Sequence, residues 1–254
     1  MGTERIKSRR RFLTEAAMVT GGLFLAAGAD SFGALLYATE RKKKDGPWYG
    51  MGIDLEKCIG CGRCAEACKS ENGVPREPFY FRTWVEQYTI LNDGTVNIIS
   101  PNGGIDGFSQ QFPDDDIFKS FFVPKMCNHC EKSPCIQVCP VGATFDSPEG
   151  VVLVDPKYCI GCRYCVQACP YGCRFIDPVR KVADKCTLCY HRIMKGKLPA
   201  CVEVCPKGAK IFGDLNDPDS DLVQFKKKYS WQVLKPHMNT EPKVYYNGLR
   251  AEVR

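Results

Sequence analysis

Sixteen of the seventeen cysteines in this 254-residue chain fall into four tight groups, and that grouping constrains the fold more than any other feature. The first group, Cys58, Cys61, Cys64 and Cys68, is spaced C-x2-C-x2-C-x3-C, and the third, Cys159, Cys162, Cys165 and Cys169, repeats that spacing. The second, Cys127, Cys130, Cys135 and Cys139, and the fourth, Cys186, Cys189, Cys201 and Cys205, each open with C-x2-C and close with C-x3-C-Pro. The repeat extends past the cysteines. Ile53-Asp54 and Val154-Asp155 stand at the same distance before the two Cys-Ile-Gly-Cys segments, and Val138-Cys-Pro-Val-Gly-Ala143 matches Val204-Cys-Pro-Lys-Gly-Ala209. The chain is therefore a duplicated pair of unlike half-modules in A-B-A-B order.

The spacing carries its own chemistry. Three cysteines at intervals of three residues wrap one face of an iron-sulfur cubane, and in two-cluster ferredoxins the fourth cysteine of each run ligates the other cluster. A proline after the fourth cysteine, as at Pro140, Pro170 and Pro206, turns the chain back. Lys69 stands there after Cys68, which changes the local turn and leaves the ligand in place. Between Cys139 and Cys159 lie Pro140 to Phe145, a turn at Asp146-Ser-Pro-Glu-Gly150 and the strand Val151 to Val154, the usual filling of a two-cluster ferredoxin. Groups two and three are thus expected to form one ferredoxin-like module over 120–183, inserted in another built from groups one and four over 47–81 and 184–221.

By the crossing rule the expected ligand sets are Cys58, Cys61, Cys64 with Cys205; Cys186, Cys189, Cys201 with Cys68; Cys127, Cys130, Cys135 with Cys169; and Cys159, Cys162, Cys165 with Cys139. Tandem pairing, one with two and three with four, would need the Lys69 to Met126 insert inside a ferredoxin half. Zinc is the competing reading of a C-x2-C pair, but two full runs with two partner groups favour clusters. Cysteines three apart on a tight loop are poorly placed for disulfides. Cys173, four residues past Cys169, reads as a small buried apolar residue, with a spare ligand or redox thiol as the alternative, and is left off the ligand sets. His129, inside Cys-Asn-His-Cys, is either a hydrogen-bond donor to sulfide or thiolate or a packed, capping histidine. Lys125, Lys157 and Lys185, each within two residues of a cluster cysteine, either raise local potentials or are solvated.

The apolar share of 44% is that of a chain that buries a core. The formal charge of +6 counts every cysteine as neutral; four thiolate-ligated cubanes would together add about −8, so the basic balance is no nucleic-acid signal. Three histidines leave little room for histidine chemistry, and no catalytic residue is assigned. At the amino terminus, Arg9 and Arg10 ahead of Phe12-Leu13, the uncharged stretch Ala16 to Ala29 and the small-residue end Ala27-Gly28-Ala29 resemble a twin-arginine export signal over 1–29, cleaved after Ala29. An uncleaved anchor over Ala16 to Thr39 is the alternative, with Asp30 in its middle. Export of a folded, loaded protein would spare its thiols random oxidation. A linker follows over 30–46.

Residues 82–100 read as a hairpin about Asn92-Asp93-Gly94, within an insert over 82–119 that ends in a surface loop, Asn102 to Asp116. A helix is predicted through Tyr229, followed by an extended, aromatic tail. The segment 222–254 is assigned as a docking tail that lies across its own domain or a partner.

Taken together, the chain resembles the four-cluster ferredoxin-type iron-sulfur subunits of respiratory molybdopterin oxidoreductase complexes, such as tetrathionate, polysulfide and dimethyl sulfoxide reductases. The resemblance runs from about Tyr49 to Tyr246 and rests on Cys58-Ile-Gly-Cys-Gly-Arg-Cys-Ala-Glu-Ala-Cys-Lys-Ser-Glu-Asn72, Cys127-Asn-His-Cys130, Cys159-Ile-Gly-Cys-Arg-Tyr-Cys-Val-Gln-Ala-Cys-Pro-Tyr171, Lys185-Cys-Thr-Leu-Cys189, Pro199-Ala-Cys201 and Phe212-Gly-Asp214. It is closest to the tetrathionate reductase type, through the leader, the length and the Lys235-Pro to Tyr245-Tyr246 tail. The resemblance implies an α+β fold of two ferredoxin-like modules in pseudo-twofold relation, with four 4Fe-4S clusters in a row. It also implies docking between a molybdopterin-type catalytic subunit and a polytopic quinone-binding membrane subunit at the periplasmic face. With all sixteen positions cysteine, four cubanes are expected. The alternatives are a subunit of a related quinone-linked complex with multihaem cytochrome c and no active molybdenum site, and a free periplasmic polyferredoxin carrier.

Overall fold

The computed structural model describes residues 46–77 and 79–253. The export signal 1–29, its cleavage after Ala29, the anchor alternative and all but the last residue of the 30–46 linker lie outside the described residues. Among the described residues no helix is long and apolar enough to cross a membrane. The content is mixed α and β.

Strand β1 (Tyr49–Asp54) leads into the first cysteine group and pairs antiparallel with β9 (Lys210–Asp214), which follows the fourth. The same relation recurs around the other two groups. Strand β5 (Thr144–Asp146), after the second group, pairs antiparallel with β6 (Val152–Val154), before the third. The helices agree: α1 (Arg63–Asn72) packs on α5 (Ala200–Glu203), and α2 (Pro134–Gln137) packs on α3 (Tyr164–Gln167). Groups one and four therefore share one set of elements, and groups two and three another.

The helix lengths follow from one residue type. In α2, α3 and α5 the helix ends before Cys139-Pro140, Cys169-Pro170 and Cys205-Pro206, because proline has no N–H to continue the ladder. After Cys68 comes Lys69, and α1 runs on for 10 residues to Asn72, closed by the left-handed Gly73. The departure at Lys69 lengthens a helix as well as changing a turn.

The C-terminal segment completes the first sheet. Its order is β10 (Trp231–Gln232), β11 (Val244–Asn247), β1, β9, with β11 parallel to β1. All four residues of β11 are buried. Tyr245 packs on Leu222 and Phe225 of the helix α6 (Asp221–Lys228), and Tyr246 faces the main core with its hydroxyl donating to Pro124 O at 3.2 Å. Helix α6 lies so close on β1 that a Cβ at Gly52 would stand 2.8 Å from the Phe225 ring. The predicted helix through Tyr229 ends one residue earlier. Of the two places expected for the tail, its own domain is the one occupied by 240–247, because a central strand finds backbone partners on both edges there.

The predicted hairpin is β2 (Thr83–Leu91) and β3 (Val96–Ile99), and β4 (Ile117–Met126) adds a third strand on the other side of β2. The expected boundary between insert and module, at 119/120, falls inside β4. Its outer half alternates in burial and its inner half is buried throughout, so one strand carries the insert's edge and then delivers Cys127. A short ribbon, β7 (Phe175–Ile176) with β8 (Ala183–Asp184), links the third cysteine group to the fourth.

Candidate metal centres

Each C-x2-C loop uses the same backbone device. The residue before the second cysteine has positive φ in all four: 70° at Gly60, 43° at His129, 69° at Gly161 and 52° at Leu188. The left-handed step turns the chain so that the paired thiols face one side. Glycine takes it freely, whereas His129 and Leu188 carry a cost of about 1–2 kcal/mol that the surrounding packing must offset.

The thiols gather in four sets. Cys58, Cys61, Cys64 and Cys205 line one cavity. Cys139, Cys159, Cys162 and Cys165 line another. Cys130 lies within electrostatic reach of Cys127, Cys135 and Cys169, and Cys68 within reach of Cys186, Cys201 and Cys189. Cys205 thus lies with the first group and Cys68 with the fourth. Among the described residues no three Cys, His, Asp or Glu side chains converge closely enough to hold one metal ion; two of the sets stand around cavities instead.

Burial ranks the sets. The two cavity-lining sets each contain an exposed cysteine, Cys61 in one and Cys162 in the other, with Cys58, Cys205, Cys139 and Cys159 half-buried. In the set of Cys127, Cys130, Cys135 and Cys169 only Cys169 is not fully buried, and in that of Cys186, Cys189, Cys201 and Cys68 all four are. The two interior sets face each other: Cys186 lies within reach of Cys127, and the buried Cys173 within reach of both.

The donor set suits a cationic core. Burial pushes the Cys58 and Cys201 thiols up to about 11, and those of Cys130 and Cys186 to about 12, with neighbouring thiols adding to it. Cys169 goes the other way, to about 6, chiefly through a hydrogen bond from the Cys173 thiol. Buried thiols so arranged give up their protons to a cation that replaces them. Backbone N–H groups already aim at sulfur: Leu188 at Cys186 Sγ (3.3 Å), Ala209 at Cys205 Sγ (3.2 Å) and Ala183 at Cys159 Sγ (3.4 Å). His129 is buried and held neutral, first by desolvation and then by Lys185 and Lys243. Its Nδ1 accepts the Val152 N–H at 3.1 Å, which assigns the proton to Nε2, and that buried Nε2 finds no hydrogen-bond partner among the described residues. Such a donor suits sulfide or thiolate.

The three lysines singled out from the sequence have different surroundings. Lys125 pairs with Glu86 at 2.7 Å, so its charge is offset. Lys157 is exposed. Lys185 is buried, its Nζ donating to Val152 O and Cys186 O. Sequence reasoning missed Arg174, Lys210 and Asn72. Arg174 Nη2 donates to Cys135 Sγ at 3.1 Å, and Asn72 Nδ2 stands 3.6 Å from Cys68 Sγ and 3.7 Å from Cys189 Sγ. A signal existed for the two cations, since both stand five residues after the fourth cysteine of their group.

Two models described as 4Fe-4S dicluster domains match the chain, over residues 57–143 and 118–215. One tetrathionate reductase subunit, from Salmonella typhimurium, is 39% identical over 251 residues, 98% of this chain and 91% of its own length. Protein NrfC of Escherichia coli is 40% identical over 240 residues, 94% of each protein. One polysulfide reductase polypeptide, from Wolinella succinogenes, is 36% identical over 198 residues, 78% of this chain and 92% of its own length. The chain belongs to this family of iron-sulfur subunits. As a member it carries four 4Fe-4S clusters and transfers electrons in a respiratory oxidoreductase complex. The first matched segment of this iron-sulfur subunit spans cysteine groups one and two in sequence, whereas in space group one keeps company with group four.

Proposed function

We propose that the iron-sulfur subunit relays electrons between a molybdopterin-type catalytic subunit and a quinone-binding membrane subunit, at the periplasmic face of the membrane after export by the twin-arginine route. When bound, the clusters supply one-electron acceptor sites. The residues that hold them are the four crossed sets: Cys58, Cys61, Cys64, Cys205; Cys186, Cys189, Cys201, Cys68; Cys127, Cys130, Cys135, Cys169; and Cys159, Cys162, Cys165, Cys139. In this reading the two modules are related by a pseudo-twofold, and the inserted module spans groups two and three.

The observation that carries the reading is the gradient of burial. Two sets open to the surface and two are interior, with Cys186 of one within reach of Cys127 of the other, which supports a row with two accessible ends. Around exposed Cys162 stand Tyr158, Ile160 and Tyr164, 67%, 66% and 57% exposed, an apolar rim of the kind a permanent partner covers. Around Cys61 stand Ile59 with Lys57, Arg63 and Lys207. The rest of the chain excludes water from the interior sets and fixes their thiols. Anaerobic purification from detergent-solubilised membranes, with mass spectrometry and metal analysis, tests the partners. A pterin protein and a polytopic membrane protein in the same complex support the reading. Haem partners without molybdenum would move the chain to a cytochrome-linked complex, and a lone soluble iron protein would make it a carrier.

A further inference from the structure

Five residues beyond the fourth cysteine, three of the groups enter a strand or its threshold with a buried polar residue: Thr144 after Cys139, Arg174 after Cys169 and Lys210 after Cys205. Arg174 Nη1 donates to Thr144 Oγ1 at 3.3 Å while Nη2 donates to Cys135 Sγ at 3.1 Å. Its charge also reaches Cys127 and, across the module, Cys165. The guanidinium thus stands between the set of Cys127, Cys130, Cys135, Cys169 and the set of Cys159, Cys162, Cys165, Cys139.

The other module repeats the arrangement with different residues. Lys210 Nζ donates to Thr83 Oγ1 at 2.8 Å. The ammonium reaches Cys201, Cys186 and Cys68 of one set and Cys64 of the other, and its side chain lines the cavity of Cys58, Cys61, Cys64 and Cys205. In group one the fifth position is Gly73, closing the long helix α1, so the hydroxyl comes from β2 instead. Thr83 is held there by donating to Lys125 O at 2.7 Å. Among the described residues neither Arg174 nor Lys210 has a carboxylate at ion-pair distance. A buried charge is costly unless it is paired, and the anionic partners within reach of these two are the cysteines.

We propose that Arg174 and Lys210 are electrostatic bridges, each a fixed positive charge shared by the two clusters of one module and anchored by a threonine hydroxyl. This rests on the crossed ligand sets proposed above. A cation between two sites lowers the energy of an added electron on either, so it raises both potentials together and holds the pair near one level while the electron passes between them. Lysines beside a single cluster tune one site; a bridge tunes two in step.

The test is potentiometric titration followed by electron paramagnetic resonance on the intact complex, with iron counted in every variant. In Arg174→Gln two clusters are expected to move to lower potential together, each by at least a tenfold change in its reduction equilibrium, about 59 mV for a one-electron couple, while the other two stay. Lys210→Gln should move the complementary pair. The charge-keeping Arg174→Lys and Lys210→Arg should restore both members of each pair. A shift of one cluster only, no shift with all iron in place, or loss of iron from every set in the neutral variants would each overturn the bridge. Failure of the ligand sets themselves reads differently: it appears in Cys205→Ser as loss of a cluster other than the one built on Cys58, Cys61 and Cys64.

Discussion

Gly62 and Arg163 hold the same place in groups one and three, each at left-handed φ, 67° and 69°, at the start of a helix. Arg163 is exposed, whereas a Cβ at Gly62 would stand 2.0 Å from Gly104 O, where the insert lies on the first group. Gly62→Ala is therefore expected to lower stability by about 1–3 kcal/mol, and Arg163→Ala by no more than about 0.5 kcal/mol; thermal unfolding of both variants checks the contrast. Cys205→Ser should disturb the cluster of Cys58, Cys61 and Cys64 and leave that of Cys186, Cys189 and Cys201 intact, as read by electron paramagnetic resonance. At this scale spacing names the thiols, because ligation needs that periodicity. It does not name Asn72, whose approach to sulfur depends on how helices from separate groups meet.

Lys69 decides the length of α1, and its ammonium ties the following loop down. Buried, it donates to the carbonyls of Pro75 and Glu77 at 2.9 Å and Arg76 at 3.3 Å, and sits 4.1 Å from the centre of the Phe81 ring. Lys69→Pro would cut α1 as the other groups are cut and cost about 3 kcal/mol or more. Iron should be lost first from the set containing Cys68, measured as iron per chain against the parent. The strand β11 makes a second case. The aromatic, proline-containing tail reads as extended chain, but only the tertiary fold shows that it runs parallel to β1 and contributes Tyr246 to the core. A chain ending before Thr240 is expected to lose iron along with partner binding, and one that loaded fully yet failed to bind partners would show that the tail is a docking device after all. The hairpin of β2 and β3 was legible from its Asn92-Asp93-Gly94 turn; the third strand, β4, was not, because an acidic loop separates it from its neighbour.

Across the molecule, two sets of thiols reach the surface and two are interior, which in the proposed relay gives electrons two places to exchange with partners. The A-B-A-B order was readable because duplication leaves matching residues beyond the cysteines. The spatial pairing followed from loop length, since the filling between groups two and three is too short to leave them apart. Whether all four sets hold 4Fe-4S clusters in the working complex is read from iron and acid-labile sulfide per chain after anaerobic purification with the partners. About sixteen of each are expected for four cubanes; zinc without sulfide, or a content near eight, would rule four cubanes out.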